Sequence, residues 1–156
     1  MKKVGVLGST GSIGLNTLKV LENLTDFKVK YLTAYRNVDL LIQQALKFRP
    51  EIVCIGDKKL YKKLKDNLNN DFDILCGRND LIDIAGINTV DICVNAIVGG
   101  PGMEPTIQAL KSGVDVALSN KESMVMAGDI INNVCKKTGA KIFPVDSEHS
   151  AIWQCL

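Results

Sequence analysis

The run Val6-Leu7-Gly8-Ser9-Thr10-Gly11-Ser12-Ile13-Gly14-Leu15 sets three glycines between a short apolar segment and a stretch with helical periodicity. Strand, glycine turn, helix: that order constrains the chain more than any other feature, because it separates a nucleotide turn from a chance glycine cluster. Glycine reaches positive φ and lets a phosphate approach the backbone with no Cβ in the way, and a helix start presents unpaired N–H groups and partial positive charge. Thr10 and Ser12 add hydroxyl donors at the same place. The spacing G-x-x-G-x-x-G is a variant of the dinucleotide fingerprint G-x-G-x-x-G. A tight strand-to-helix turn without a ligand also fits it.

The rest of the chain repeats the alternation. Short Val- and Ile-rich runs read as strands over Lys3–Leu7, Lys28–Ala34, Ile52–Ile55, Phe72–Leu75, Val90–Ala96, Val114–Leu118 and Lys141–Phe143. Stretches with apolar residues three and four apart read as helices over Ser12–Leu24, Val38–Phe48, Lys58–Leu68, Met103–Lys111 and Met124–Lys137. In the second of these, Leu40, Leu41, Gln44, Ala45 and Phe48 share a face, and Arg49-Pro50 ends it because the residue before proline resists the α region. Strands joined by helical crossovers pair in parallel with right-handed connections. The expected fold is α/β: a Rossmann-like, doubly wound, mostly parallel sheet with helices on both faces. With 156 residues, 46% of them hydrophobic, the chain suffices for one domain with a real core. Lys58–Lys65 reads as a solvated helix face.

Three further stretches fall at the carboxyl ends of predicted strands, where open α/β sheets bind ligands. In "LTAYRNVDLL" the second strand ends on Tyr35 and Arg36 with no preceding acid. A carboxylate there suits the free ribose of NAD, whereas an arginine suits a 2′-phosphate as a planar fork, and Tyr35 offers a face for adenine. That favours NADP over NAD, with an ordinary exposed loop cation as the alternative for Arg36. In "NAIVGGPGMEPT" Gly99, Gly100 and Gly102 suit close passage beside a cofactor or simply a strand-to-helix loop. In "LSNKES" Asn120 is a helix cap, and Lys121 is a point charge able to meet a phosphate or enolate oxygen.

Near the end, "FPVDSEHS" places Asp146 and Glu148 two residues apart, on one side of an extended backbone. Converging carboxylates suit a hard divalent cation such as Mg²⁺ or Mn²⁺, and two ligands leave such a site incomplete. Capping of a final helix by Asp146 or Ser147 is the competing explanation. His149 is the chain's one histidine and reads as a structural or surface residue. A net charge of +2 gives no sign of nucleic acid, and the apolar run before the glycine turn is too short for a signal or a membrane span, so the expectation is a soluble cytoplasmic protein. Cys54, Cys76, Cys93, Cys135 and Cys155 form no C-x-x-C pair and read as buried thiols rather than a disulfide or zinc framework.

"LGSTGSIG", "AIVGGPGMEPT", "SNKES" and "PVDSEHSAIWQ", in this order and spacing, closely resemble the 1-deoxy-D-xylulose 5-phosphate reductoisomerase family. Its members are NADPH-dependent enzymes that form 2-C-methyl-D-erythritol 4-phosphate in non-mevalonate isoprenoid biosynthesis. The resemblance runs the length of the chain and covers well under half of the family's usual length. It implies an NADPH-binding domain over residues 1–144 and the start of a catalytic domain over 145–156. It further implies NADPH contacts from Thr10, Gly11, Ser12, Ile13, Tyr35, Arg36, Asn37, Asn120 and Glu122, and substrate contacts from Lys121, Ser147 and Glu148. Asp146 and Glu148 are implied as two of three carboxylate ligands to Mg²⁺, Mn²⁺ or Co²⁺. The substrate implied is 1-deoxy-D-xylulose 5-phosphate and the assembly a homodimer, with neither membrane nor nucleic acid as partner; with the third ligand and the lid absent, this chain is expected to bind NADPH without turnover. Departures are modest: the family commonly has Gly-Lys at Tyr35-Arg36, alanines near Gly100-Pro101, Asn at Ser150 and Phe at Trp153. An NADP oxidoreductase of the semialdehyde-dehydrogenase type fits the glycine turn but gives no reason for Asp-Ser-Glu, and a stand-alone NADP-binding sensor without catalysis is the remaining alternative.

Overall fold

The computed structural model describes residues 1–145 together with Ala151, Gln154 and Cys155. The elements are β1 (Lys2–Leu7), α1 (Ser12–Glu22), β2 (Phe27–Ala34), α2 (Val38–Phe48), β3 (Ile52–Ile55), α3 (Tyr61–Asn67), β4 (Asp73–Cys76), α4 (Arg78–Ala85), β5 (Ile92–Asn95), α5 (Met103–Lys111), β6 (Asp115–Leu118), α6 (Lys121–Thr138) and β7 (Ile142–Pro144). Among the described residues the strands form one sheet in the order β4-β3-β2-β1-β5-β6-β7, and every pairing is parallel. The expected α/β doubly wound fold is therefore the observed one.

The sequence produces two cores by alternation. Val4 and Val6 of β1, Leu32 and Ala34 of β2 and Val53 and Ile55 of β3 point to one face, where they meet Leu18 of α1, Leu41 and Ala45 of α2 and Leu64 of α3. Leu7, Tyr31, Cys54 and Cys93 point to the other, against Leu81 and Ile84 of α4, Leu110 of α5 and Ile131 of α6. Residues buried on both faces of a strand are the reason these strands read as nearly continuous Val/Ile/Leu runs. The winding explains the split. From β1 to β4 the chain steps outward in one direction; it then returns past β1 to β5 and steps the other way, and right-handed crossovers must place α4, α5 and α6 on the opposite face. The reversal leaves a crevice between the carboxyl ends of β1 and β5, the topological switch point.

Local sequence sets the ends of the helices. Asn37 caps α2 by accepting a hydrogen bond from the Leu40 N–H, and α2 stops at Arg49, whose φ of 48° turns the backbone out of the helix before Pro50. Asn120 caps α6 in the same way through the Ser123 N–H, so that helix begins at Lys121 rather than at Met124 as the periodicity suggests. Lys58–Leu60 forms a 3₁₀ turn ahead of the shorter α3. Helix α4 is absent from the sequence-based reading. Its opening Arg78-Asn79-Asp80 follows a glycine and resembles a loop, yet Leu81, Ile84 and Ala85 give it a buried face.

Cys54 and Cys93 are fully buried beneath the second set of helices, and burial pushes both thiols up to about 12, with Asp80 and Cys76 adding to the effect at Cys54. Both therefore stay protonated at neutral and mildly alkaline pH, where thiolates are the reactive species. Cys155 is exposed. Iodoacetamide applied to the native protein at mildly alkaline pH should alkylate Cys155 and spare Cys54 and Cys93 until denaturant is added. Equal labelling of all three, read by peptide mass spectrometry, would contradict this packing.

Candidate cofactor site

The glycine turn occupies the switch point. Gly8 leaves β1 with φ 75°, a region that costs residues with a Cβ about 1 kcal/mol or more. A Cβ on Gly14 would stand 2.3 Å from the Gly8 carbonyl oxygen and 2.6 Å from Ser9 Cα, so only glycine lets α1 seat against the turn. Gly11 caps α1 with no side-chain hydrogen bond, and no acidic residue occupies the first turn. The positive end of α1 is thus left for an anion, as a pyrophosphate cradle requires.

A buried polar network holds this turn. Ser9 is fully buried; its N–H donates to the Thr33 carbonyl at 2.8 Å, and its hydroxyl donates to Gln44 Oε1 at 2.7 Å. Gln44 answers through Nε2 to the Ser9 carbonyl at 2.9 Å, and Thr33 Oγ1 accepts from the Gly8 N–H at 3.0 Å. One amide side chain from α2 and one hydroxyl from β2 thereby fix both the position and the peptide orientation of the turn. In the sequence Gln44 reads only as one member of an apolar helix face, and a glutamine among Leu41, Ala45 and Phe48 is the signal that could have singled it out.

The opposite wall is built from the β5–α5 loop. Asn95, fully buried at the end of β5, donates through Nδ2 to the Gly102 carbonyl and to Thr106 Oγ1, both at 2.8 Å, and accepts the Ile97 N–H at 3.1 Å. Asn120 sits behind the same loop, 3% exposed, with Nδ2 donating to the Ile97 carbonyl at 2.8 Å and to the Gly99 carbonyl. Its side chain is committed to shaping the loop and capping α6. Between the walls lies a cleft of about 790 Å³, to which Gly8, Thr10, Gly11, Tyr35, Ile97 and Pro101 contribute.

The structure brings several of the expected residues together. Thr10, Gly11 and Tyr35 line the cleft, and Ser12 and Ile13 stand exposed on the first turn of α1 beside it. Arg36 projects from the end of β2, its side chain 73% exposed, with its guanidinium over the Tyr35 ring and Nε 3.8 Å from Asp57. Such an exposed pair is worth little, so the guanidinium can turn to a phosphate at small cost. Asn37 is engaged as the α2 cap. Lys121 and Glu122 lie exposed on the first turn of α6, at the carboxyl end of β6 and outside the cleft lining. Asp146, Ser147 and Glu148 lie outside the described residues, and among the described residues no group of three or more His, Cys, Asp or Glu side chains converges as a metal site. No helix among the described residues is long and apolar enough to cross a membrane.

Replacing Gln44 by Leu leaves the buried Ser9 carbonyl without its partner, at a cost of about 1–3 kcal/mol, and leaves the Ser9 hydroxyl only its 3.2 Å bond to the Thr33 carbonyl. Thermal denaturation should show the loss. The double variant Ser9→Ala/Gln44→Leu, which removes both hydroxyl and amide, should recover part of it; a Gln44→Leu protein as stable as wild type would refute the network's role.

Comparison with known proteins places this geometry. The protein from Lachnospira eligens named 1-deoxy-D-xylulose 5-phosphate reductoisomerase is 46% identical over 157 aligned residues, covering 100% of this chain and 41% of its own length. The chain thus spans about 41% of the curated relatives it matches. The Zymomonas mobilis enzyme of that name, solved with NADPH, superimposes with a TM-score of 0.94 at 39% identity, covering 99% of this chain and 41% of that one. A DOX-P reductoisomerase solved with NADPH, fosmidomycin and magnesium gives a TM-score of 0.95 at 40% identity, over 100% of this chain and 39% of the other. Residues 4–128 match the family model described as 1-deoxy-D-xylulose 5-phosphate reductoisomerase, and it is to this family that the chain belongs.

Proposed function

We propose that this chain is the NADPH-binding portion of a 1-deoxy-D-xylulose 5-phosphate reductoisomerase. The observation that carries the proposal is the glycine cradle at the switch point with Arg36, rather than an acid, at the end of β2. The Gly8–Gly14 turn and the positive end of α1 bind the pyrophosphate, through the backbone of Thr10, Gly11, Ser12 and Ile13. Tyr35 and Asn37 flank the adenosine, and Arg36 pairs with the 2′-phosphate. The nicotinamide then extends across β1 toward the ends of β5 and β6, where the β5–α5 loop, shaped by Asn95 and Asn120, and the first turn of α6 with Lys121 and Glu122 receive it. Relatives solved with NADPH and with magnesium support this reading.

In the complete enzyme the substrate is 1-deoxy-D-xylulose 5-phosphate, rearranged and then reduced by hydride from NADPH to 2-C-methyl-D-erythritol 4-phosphate. Lys121 orients the sugar phosphate by charge, and Ser147 and Glu148 contact it. Asp146 and Glu148 are two ligands of a divalent cation, which supplies Lewis-acid polarisation of the substrate's oxygens. We assign residues 1–144 to the cofactor domain and 145–156 to the start of the catalytic part. With two metal ligands of the three, the chain by itself binds cofactor without turning it over. The complete enzyme is read as a homodimer of the cytoplasm.

Fluorescence titration of the chain should show preference for NADPH over NADH. Arg36→Ala should weaken NADPH binding roughly 10- to 100-fold, the worth of a charge-assisted contact, while leaving NADH nearly unaffected. Equal affinity of the wild-type chain for the two cofactors would refute Arg36 as the phosphate partner. For the metal, Asp146→Asn in the complete enzyme should weaken Mn²⁺ binding, followed by the electron paramagnetic resonance signal of the free ion, with NADPH affinity unchanged. A parallel loss of NADPH binding would mean that the Asp-Ser-Glu stretch serves the fold instead.

A further inference from the structure

Arg78 and Glu104 both line the cofactor cleft. Arg78 is the first residue of α4, directly after Gly77 at the end of β4. Its Nη1 donates to the Pro101 carbonyl at 2.7 Å and its Nη2 to the Glu104 carboxylate at 2.5 Å. Pro101 lies in the 3₁₀ turn Gly100–Gly102 of the β5–α5 loop, and Glu104 in the first turn of α5. Strands β3, β2 and β1 stand between β4 and β5 in the sheet, so these bonds tie the adenosine end of the cleft to the loop on its far wall.

We propose that Arg78 and Glu104 form a strap that fixes the β5–α5 loop and thereby the width of the cleft, making Arg78 a positioning residue for the bound dinucleotide. This rests on the cofactor reading above. A guanidinium offers a rigid fork of donors, and here one arm holds a backbone carbonyl while the other holds a carboxylate, which an ammonium cannot match with the same orientation. Asn95 and Asn120 fix the inner side of the loop through Ile97, Gly99 and Gly102; Arg78 fixes its outer side at Pro101. Because Arg78 acts through the position of the loop rather than on the 2′-phosphate, its removal should weaken NADPH and NADH alike, unlike removal of Arg36.

The test uses the 156-residue chain and two readouts. In the ligand-free protein, hydrogen exchange of the amides from Ile97 to Met103 should accelerate in Arg78→Ala and in Glu104→Gln, and Arg78→Lys should restore part of the protection. In cofactor titrations, Arg78→Ala should weaken NADPH and NADH by a similar factor of about three to ten, as befits a partly exposed ion pair reinforced by one backbone bond. Loss confined to NADPH would overturn the proposal in favour of direct phosphate contact. Unchanged exchange together with unchanged affinity would overturn it outright. A wild-type chain that fails to bind NADPH refutes the cofactor reading itself and the positioning role with it, whereas exchange still decides whether the strap holds the loop.

Discussion

The close contact between Gly14 and the Gly8 carbonyl oxygen governs the rest of this structure. At the 2.3 Å that any Cβ on Gly14 would impose, α1 would have to withdraw from the turn, and its positive end would no longer face the switch point. Seating α1 there has two consequences. It lets Leu18 pack into the first core with Val4 and Val6, and it presents N–H groups where the reversal of the winding opens the sheet. Fold and cradle are therefore set by one constraint. The Ser9–Gln44–Thr33 network then prevents the turn from relaxing, since moving the turn would break the bonds of the buried Ser9 carbonyl and hydroxyl and of the Gln44 amide together.

The two walls of the cleft are built in different ways. The β1 wall is held by backbone conformation plus a network reaching back to β2 and α2. The β5 wall is a loop held by side-chain amides, with Asn95 beneath it and Asn120 behind it, and Arg78 grips it from outside. This difference suits a dinucleotide. The pyrophosphate needs a rigid array of donors, while the loop beside it must accept a long ligand and still define the depth at which it lies.

Much of this was legible in the sequence. The glycine turn, the parallel strands and the helix stop before Pro50 follow from local chemistry that tertiary packing reinforces, and Asn120 is the cap that its position in "LSNKES" suggests. Helix α4 was not legible, because eight residues opening on Arg-Asn-Asp after a glycine carry little helical pattern until Leu81 and Ile84 find the second core. Nor were the long-range partnerships. Gln44 lies 35 residues from Ser9, and Arg78 lies 26 from Glu104, separations that no periodicity reports. The cysteines show the same limit: Cys54 and Cys93 are buried as composition suggests, but Cys155 is exposed, and only the fold distinguishes them.

The central claim is that the cradle at the switch point is where this chain meets NADPH, and amide chemical-shift mapping during an NADPH titration tests it most directly. The account predicts that the largest shifts fall on Gly8 to Ile13 and on Tyr35 to Asn37, with smaller ones along the β5–α5 loop from Ile97 to Met103. Shifts that spare the glycine turn, or that gather instead at the groove formed by Met1, Leu21, Phe27 and Phe48, would contradict it.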